Sequence, residues 1–228
     1  MNEQDENEMP DYVLSEDALL DLPVFPLGQV VLFPDAFLPL HIFEPRYRAM
    51  LKHCMETHRA FAVAHVPDPA DLDQYENPKI ALVAGVGVVV EHESMPDGRS
   101  NILVRGKGRF VLQELPFVGP FRRARATKAD EESVAISDSD RTTLLSAASG
   151  FMREIKKRDH TFDFILPKNG ATGEWTDLCA HYLLVRAEAK QQVLEERNPR
   201  TRLNIVVREL AIQTGAMQDE PKGGTLLN

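Results

Sequence analysis

The segment "LPLHIFEPRYRAML", residues 38–51, concentrates groups that can do chemistry: His41, Glu44, Arg46, Tyr47 and Arg48 fall within eight positions. An imidazole, a carboxylate and two guanidiniums at that density suggest an acid, a base and an anion clamp. The spacing argues for a different reading. Pro45 suits the first position of a helix, with Glu44 as its cap at the positive end of the dipole. From there Tyr47, Met50, Leu51, Cys54, Met55 and His58 recur at three- and four-residue intervals, the stripe of one buried helix face. Glu44 and Arg48, four apart, read as a helix ion pair. The segment is then a strand feeding a capped helix. It lacks a nucleophile and a second positioned base, so no catalytic residue is assigned.

The remaining chemical signals are weaker. "GVGVVV" at Gly85 contains part of a dinucleotide fingerprint but lacks its third glycine and the following helix; small residues packing in a sheet account for it. The seven histidines form no HExxH, and the pairs His53/Cys54 and Cys179/His181 do not share a helix face. The two cysteines form no CxxC pair and read as small buried residues. No GxxxxGK[ST] loop is present to cradle phosphates. Neither a metal nor a cofactor is expected.

The elements that position these residues follow from periodicity and punctuation. Residues 1–21 read as a flexible acidic lead with one short helical turn. From residue 22, "LPVFPL", "QVVLFP", "FLPLHIF" and "AFAVAHV" each suit a short strand ended by proline or a polar residue. "KIALVAGVGVVVEHESM" is a long strand ended by "PDG", which predicts a two-residue hairpin. "NILVRG" folds back on it, "GRFVLQEL" folds back again after "GKG", and "PFRRARATKA" adds an exposed strand. Residues 22–128 thus form an antiparallel half-barrel with one helix. After "DEESVAISDSD" the period becomes helical: "RTTLLSAASGFMREIKKR", capped by Asp138 or Ser139, then "EWTDLCAHYLLV", "RAEAKQQVLEE" and "PRTRLNIVVRELAIQ". Residues 129–213 are a helical bundle and 214–228 a disordered tail. The fold class is α+β.

Composition bounds the function. At 228 residues, with 43% hydrophobic and 27% charged residues, the chain suits one large or two small globular domains. No apolar run approaches the roughly 20 residues that cross a bilayer, and the acidic N-terminus is unlike a targeting segment, so a cytoplasmic protein is expected. The net charge of -9 belongs to the lead: residues 1–21 hold eight acids and no Lys or Arg. Residues 99–128 carry eight bases and the single acid Glu114, a local excess that suits a polyanion or simply strand arginines facing water.

Three segments together resemble one family. "LPVFPLGQVVLFPDAFLPLHIFEPRYRAML" closely resembles the opening of the Lon protease N-terminal, substrate-binding domain. "GVGVVVEHESMPDGRSNILVRGKGRFVL" and "AEAKQQVLEERNPRTRLNIVVREL" are similar to its later strand–hairpin and helical segments. Pro34, His41, Glu44, Pro45, Arg46, Tyr47, Gly98 and Gly106 are the motif positions, with structural roles. The resemblance spans roughly residues 22–213 and implies a PUA-like β-domain followed by a helical bundle. It also implies a stand-alone substrate-binding domain, because 228 residues leave no room for the family's ATPase and serine–lysine protease modules.

The expected function is therefore non-catalytic binding of unfolded or degron-bearing polypeptides, as an adaptor or quality-control protein that serves a protease or chaperone. Apolar side chains left exposed would carry it. The candidates are Phe33 and Phe37 with Leu38 and Phe43, then Phe117 and Phe121 flanking "VGP", and Phe162 and Phe164 in the loop "HTFDFILP", which either plug a groove or reach for a partner. The alternatives are RNA binding through the basic strands of residues 99–128, masked by the acidic lead, and an enzyme with a small-molecule pocket.

Overall fold

A computed structural model describes residues 12–219 of the chain. It forms two compact units, Met1–Ala129 and Asp130–Asn228. The first contains strands β1 (Leu22–Leu27), β2 (Phe37–Ile42), β3 (Ala60–His65), β4 (Val83–Ser94), β5 (Ser100–Glu114) and β6 (Arg122–Lys128), with helix α1 (Pro45–Glu56) between β2 and β3. The sheet order is β2-β5-β4-β3-β1-β6, and β5 also pairs with β6. Five strands therefore close into a ring, with β2 laid on the first half of β5. One pair is parallel, β1 with β3, because β2 and α1 carry the chain across between them. The expected all-antiparallel half-barrel is thus a mixed, closed sheet.

Alternation along the strands divides the core in two. Leu22, Val24, Ala62, Val86, Leu112 and Ala126 come from all five ring strands and fill its narrow interior. Phe25, Phe61, Val63, Ile102 and Val104 face the other way and meet Tyr47, Met50, Leu51 and Cys54 of α1. β3 is buried on both faces, alanines inward and Phe61 and Val63 under the helix. Each such large side chain contributes about 1.5–3 kcal/mol on burial.

Four expectations are corrected here. "QVVLFP" is not a strand: residues 30–33 are irregular yet Val31, Leu32 and Phe33 are buried. Their backbone lies against the sheet at Gly85 and Gly106, where a Cβ would overlap the carbonyl oxygens of Leu32 and Phe33. Pro34 and Asp35 turn the chain there, and Asp35 N–H donates to the Gly106 carbonyl at 3.0 Å. "NILVRGKGRFVLQE" is one continuous strand, since "GKG" makes a bulge opposite Val86 and Gly87 rather than a turn. The β4–β5 hairpin has three loop residues, 96–98, between Met95 and Arg99, with Gly98 at φ 82°. Lastly, residues 12–21 pack rather than trail: the expected short helical turn stands at Asp17–Leu20 as a 3-10 turn, and Tyr12 and Leu14 lie against the ring interior cluster. Residues 1–11 of the expected flexible lead lie outside the described residues.

The second unit holds α2 (Asp138–Lys156), α3 (Thr172–Leu183), α4 (Ala187–Glu195) and α5 (Pro199–Asp219). The cap of α2 is Ser137, not Asp138 or Ser139: its hydroxyl accepts from Asp140 N–H while the Asp140 carboxylate accepts from Ser137 N–H. α5 contacts the other three helices, and Arg202 on it is fully buried against Asp177 at 3.1 Å and Glu131 at 2.7 Å. α5 runs to Asp219, so residues 214–219 of the expected tail are helical; residues 220–228 lie outside the described residues.

Candidate functional site

The dense segment around residues 41–48 does not converge. His41 Nδ1 meets Asn101 Oδ1 at 2.8 Å on β5, and the Glu44 carboxylate takes Arg46 at 3.0 Å rather than Arg48. Glu44 caps α1 by position only, without a side-chain hydrogen bond. Tyr47 is buried, its ring 4.3 Å from that of Phe25 and covered by the Arg46 guanidinium at 4.5 Å. Burial pushes its phenol up, with Glu44 adding to the effect and Arg46 and Arg122 opposing it. Arg48 lies over the hairpin, where a side chain at Gly98 would strike its guanidinium. These groups build a corner.

Both cysteine thiols are pushed up to about 12 by burial, which leaves them protonated and unreactive at neutral pH. Among the described residues no group of three or more His, Cys, Asp or Glu is placed to hold a metal ion.

A concave apolar surface lies instead around Phe117. One cleft of about 600 Å³ is lined by Leu72, Tyr75, Leu115, Pro116 and Phe117 together with polar Asp73, Gln74, Asn77, Lys79, Glu114 and Arg122. A second, of about 200 Å³, is lined by Val24, Tyr47, Val66, Phe117, Phe121 and Arg122. The two share Asn77, Phe117 and Arg122. Tyr75 and Phe117 face each other with ring centroids 5.8 Å apart, and Phe121 lies 5.5 Å from the His53 ring. Val118, between them, is 67% exposed.

Arg122 holds this surface together. It is 7% exposed, donates through Nε to Glu114 Oε2 at 2.8 Å, pairs with the same carboxylate through Nη2, and donates through Nη1 to the Pro78 carbonyl. The loop of residues 72–79 is further shaped by Asp73, whose Oδ1 accepts from the N–H of Tyr75 at 2.8 Å and of Asn77 at 3.0 Å. Desolvation pushes the Asp73 carboxyl up, but these two N–H groups with Arg122 and Lys79 outweigh it and hold the group below its usual range. The loop thereby presents Tyr75 to Phe117.

The six candidate contact residues fall in different places. Phe117 and Phe121 are half-buried on this surface. Phe33 is fully buried, so the expectation that it is exposed is corrected; it sits in the irregular segment pressed on Gly106. Phe37 is half-buried on β2 beside Arg105, and Phe43 is 58% exposed next to His41. Phe162 and Phe164 belong to the second unit; the Phe164 ring lies 5.6 Å from that of Tyr182, tilted by 45°, while Ile165 stands 78% exposed. Sequence reasoning passed over Leu72, Tyr75 and Arg122: the first two sit in a polar loop, and Arg122 reads as one basic strand residue among several.

The basic strands are largely engaged. Arg99 pairs with Asp97, Arg105 with Asp35, Arg122 with Glu114 and Arg123 with Asp21. Arg109 is buried. Among the described residues no helix is long and apolar enough to cross a membrane.

Comparison with known proteins agrees with this architecture. Residues 21–211 match the family described as the ATP-dependent protease La (LON) substrate-binding domain. The chain is 27% identical over 214 residues to the Lon protease of Anaeromyxobacter dehalogenans, covering 87% of this chain and 24% of the relative. It is 24% identical over 211 residues to Lon protease 2 of Bdellovibrio bacteriovorus, covering 90% and 26%. The chain thus spans about a quarter of the length of these relatives. In fold it is similar to the crystal structure of a Lon N-terminal domain protein from Xanthomonas campestris, with a TM-score of 0.58 at 19% identity, covering 82% of this chain and 97% of that one. The N-terminal domain of Mycobacterium avium complex Lon protease gives 0.59 at 13%, covering 84% and 98%. With a sheet, corner and helices of this order and a family match over most of its length, the chain belongs to the Lon substrate-binding domain family.

Proposed function

We propose that the chain is a non-catalytic polypeptide-binding module of the cytoplasm, and that Phe117, with Phe121 and Tyr75, is where an unfolded segment docks. The observation that carries this reading is the pair of clefts meeting at Phe117, where Leu72, Tyr75, Leu115, Val66 and Phe121 give apolar walls around a buried, engaged arginine, and polar residues of the 72–79 loop complete the larger cleft. An apolar surface of that kind accepts side chains of varied shape through burial, with few directional demands. Membership of a substrate-binding domain family supports the same class of ligand. A role as adaptor or quality-control protein, delivering chains to a protease or chaperone, follows as part of this proposal.

RNA binding through residues 99–128 draws less support, because four of its arginines already pair with carboxylates and a fifth is buried. Fluorescence anisotropy with an unfolded polypeptide and, in parallel, a single-stranded RNA, each at low and high salt, separates the two. Salt-tolerant binding of the polypeptide alone is the expected result; salt-sensitive binding of RNA overturns it.

A further inference from the structure

A second groove on the β-unit, of about 640 Å³, runs along α1 opposite the distal half of β4 and the β4–β5 hairpin. It is lined by apolar Leu51 and Met55 and by Arg48, Lys52 and His92, with Glu56 as its one acid. His92 faces the helix because of an irregularity in β4: the register shifts between Val89 and Glu91, and His92 then stands opposite Ile102 of the core under α1. Lys52 has only a long contact of 4.0 Å with Glu56, and Arg48 has no carboxylate partner among the described residues. The groove therefore joins apolar side chains to underused positive charge.

One acidic segment of this chain is tethered beside it. The described chain begins at Tyr12, whose ring lies 4.6 Å under the Arg59 guanidinium. Arg59 N–H donates to the Cys54 carbonyl at 2.7 Å, at the end of α1, and Arg59 Nε donates to the Val89 carbonyl at 3.1 Å, where β4 passes beyond β3. Tyr12 is thus anchored at the end of α1 that carries Met55 and Glu56. Upstream of it, residues 1–11 contain Glu3, Asp5, Glu6, Glu8 and Asp11 with no Lys or Arg, and Met9 and Pro10 as apolar groups. Extended chain covers about 3.3 Å per residue, whereas Lys52 and Arg48 lie about one and two helical turns back from Met55, about 5–11 Å.

We infer that residues 1–11 dock in the groove between α1 and the β4–β5 hairpin, placing their carboxylates against Arg48 and Lys52. The occupant is this chain's own acidic segment, chosen by charge complementarity and by the position of its anchor at Tyr12. The inference does not depend on polypeptide binding at Phe117, which lies on a separate cleft.

The test uses the full chain carrying Glu6→Cys with a nitroxide label, read by line broadening of backbone amides. Cys54 and Cys179 are buried, so the label goes to the introduced thiol. Loss of signal at residues 48–55 and 92–100 in dilute buffer is expected. Recovery is expected at about 1 M salt, where the screening length falls to about 3 Å, and in the Arg48→Glu, Lys52→Glu double variant. Unchanged amide positions for β1, β3 and β6 of the same unit show that this variant is folded. Broadening centred on Arg125 and Lys128, broadening that survives the charge reversal, or none at all overturns the inference. Broadening transferred to an unlabelled isotopic partner in a mixed sample would assign the groove to a second copy and overturn it as well.

Discussion

Arg122 on β6 and Glu114 on β5 are joined by two guanidinium–carboxylate contacts, Nε to Oε2 at 2.8 Å and a second through Nη2 to the same oxygen. Because the third nitrogen donates to the Pro78 carbonyl, one buried side chain ties the closing strand pair to the loop bearing Tyr75. Replacing Arg122 by Met keeps its bulk and removes all three bonds. Glu114 is 41% exposed and can be rehydrated, so the expected loss is about 1.5–3 kcal/mol, the range for hydrogen bonds to charged groups. Urea denaturation gives that figure. Hydrogen exchange should show faster opening of Asn77 and Lys79 than of β3, which tells local release of the loop from general weakening.

Gly106 and Gly150 should respond in opposite directions to the same substitution. At Gly106 a methyl group would overlap the Phe33 carbonyl oxygen, which is fixed by the turn at Asp35. Gly106→Ala should cost more than about 3 kcal/mol, through displacement of buried backbone. Gly150 lies inside α2 with no atom within 4 Å of a Cβ. There Gly150→Ala should stabilise by about 0.5–1 kcal/mol through helix propensity. Thermal melts of the two variants check both signs.

How far the fold was legible depends on whether its cause is local. The stripe from Tyr47 to Cys54 and the helical periods of α2 to α5 are local properties, and those helices stand where the period places them. The segment around Leu32 looked like a strand because an apolar run ended by proline usually is one. Its burial comes from Gly85 and Gly106, which admit its carbonyls from over fifty residues away. "GKG" reads equally as a turn or a bulge; continued pairing of β5 with β4 and then β6 selects the bulge. The parallel β1–β3 pair has no sequence signature at all, since its register is set by the crossover. The same holds for the aromatics. Phe33, Phe117 and Phe121 carry similar local signals, and only the packing of the irregular segment buries the first and leaves the other two on a cleft.

The start of α2 carries an acid-sensitive cap. Asp140 is held below the usual carboxylate range by the Ser137 hydroxyl, then by the Ser137 N–H, with Arg200 adding its charge. A depressed folded-state pKa stabilises the native state above the unfolded value of about 3.9 and loses that contribution as pH falls through the folded value. The melting temperature of the wild type should therefore exceed that of Asp140→Asn at neutral pH. The gap should narrow only below about pH 4. A gap that stays constant down to pH 2 would assign the effect to helix geometry rather than to the charge.

Polypeptide binding should divide between the two units. Phe117→Ala and Phe121→Ala remove half-buried rings that line the clefts, and neither ring belongs to the cluster of Val86, Leu112 and Ala126 that fills the ring interior. Each should weaken binding of an unfolded polypeptide by roughly tenfold, equivalent to about 1.4 kcal/mol, as is usual for an aromatic anchor at an interface centre. Val118→Ser, between them and 67% exposed, should act in the same direction but less. The comparison is the Phe162→Ser, Phe164→Ser double variant in the second unit, where Phe164 is already engaged with Tyr182. If the clefts around Phe117 are the docking surface, anisotropy titrations will separate the two sets, with affinity falling in the first and holding in the second. The reverse order would move the site to the aromatic loop, where exposed Ile165 is the side chain to replace next.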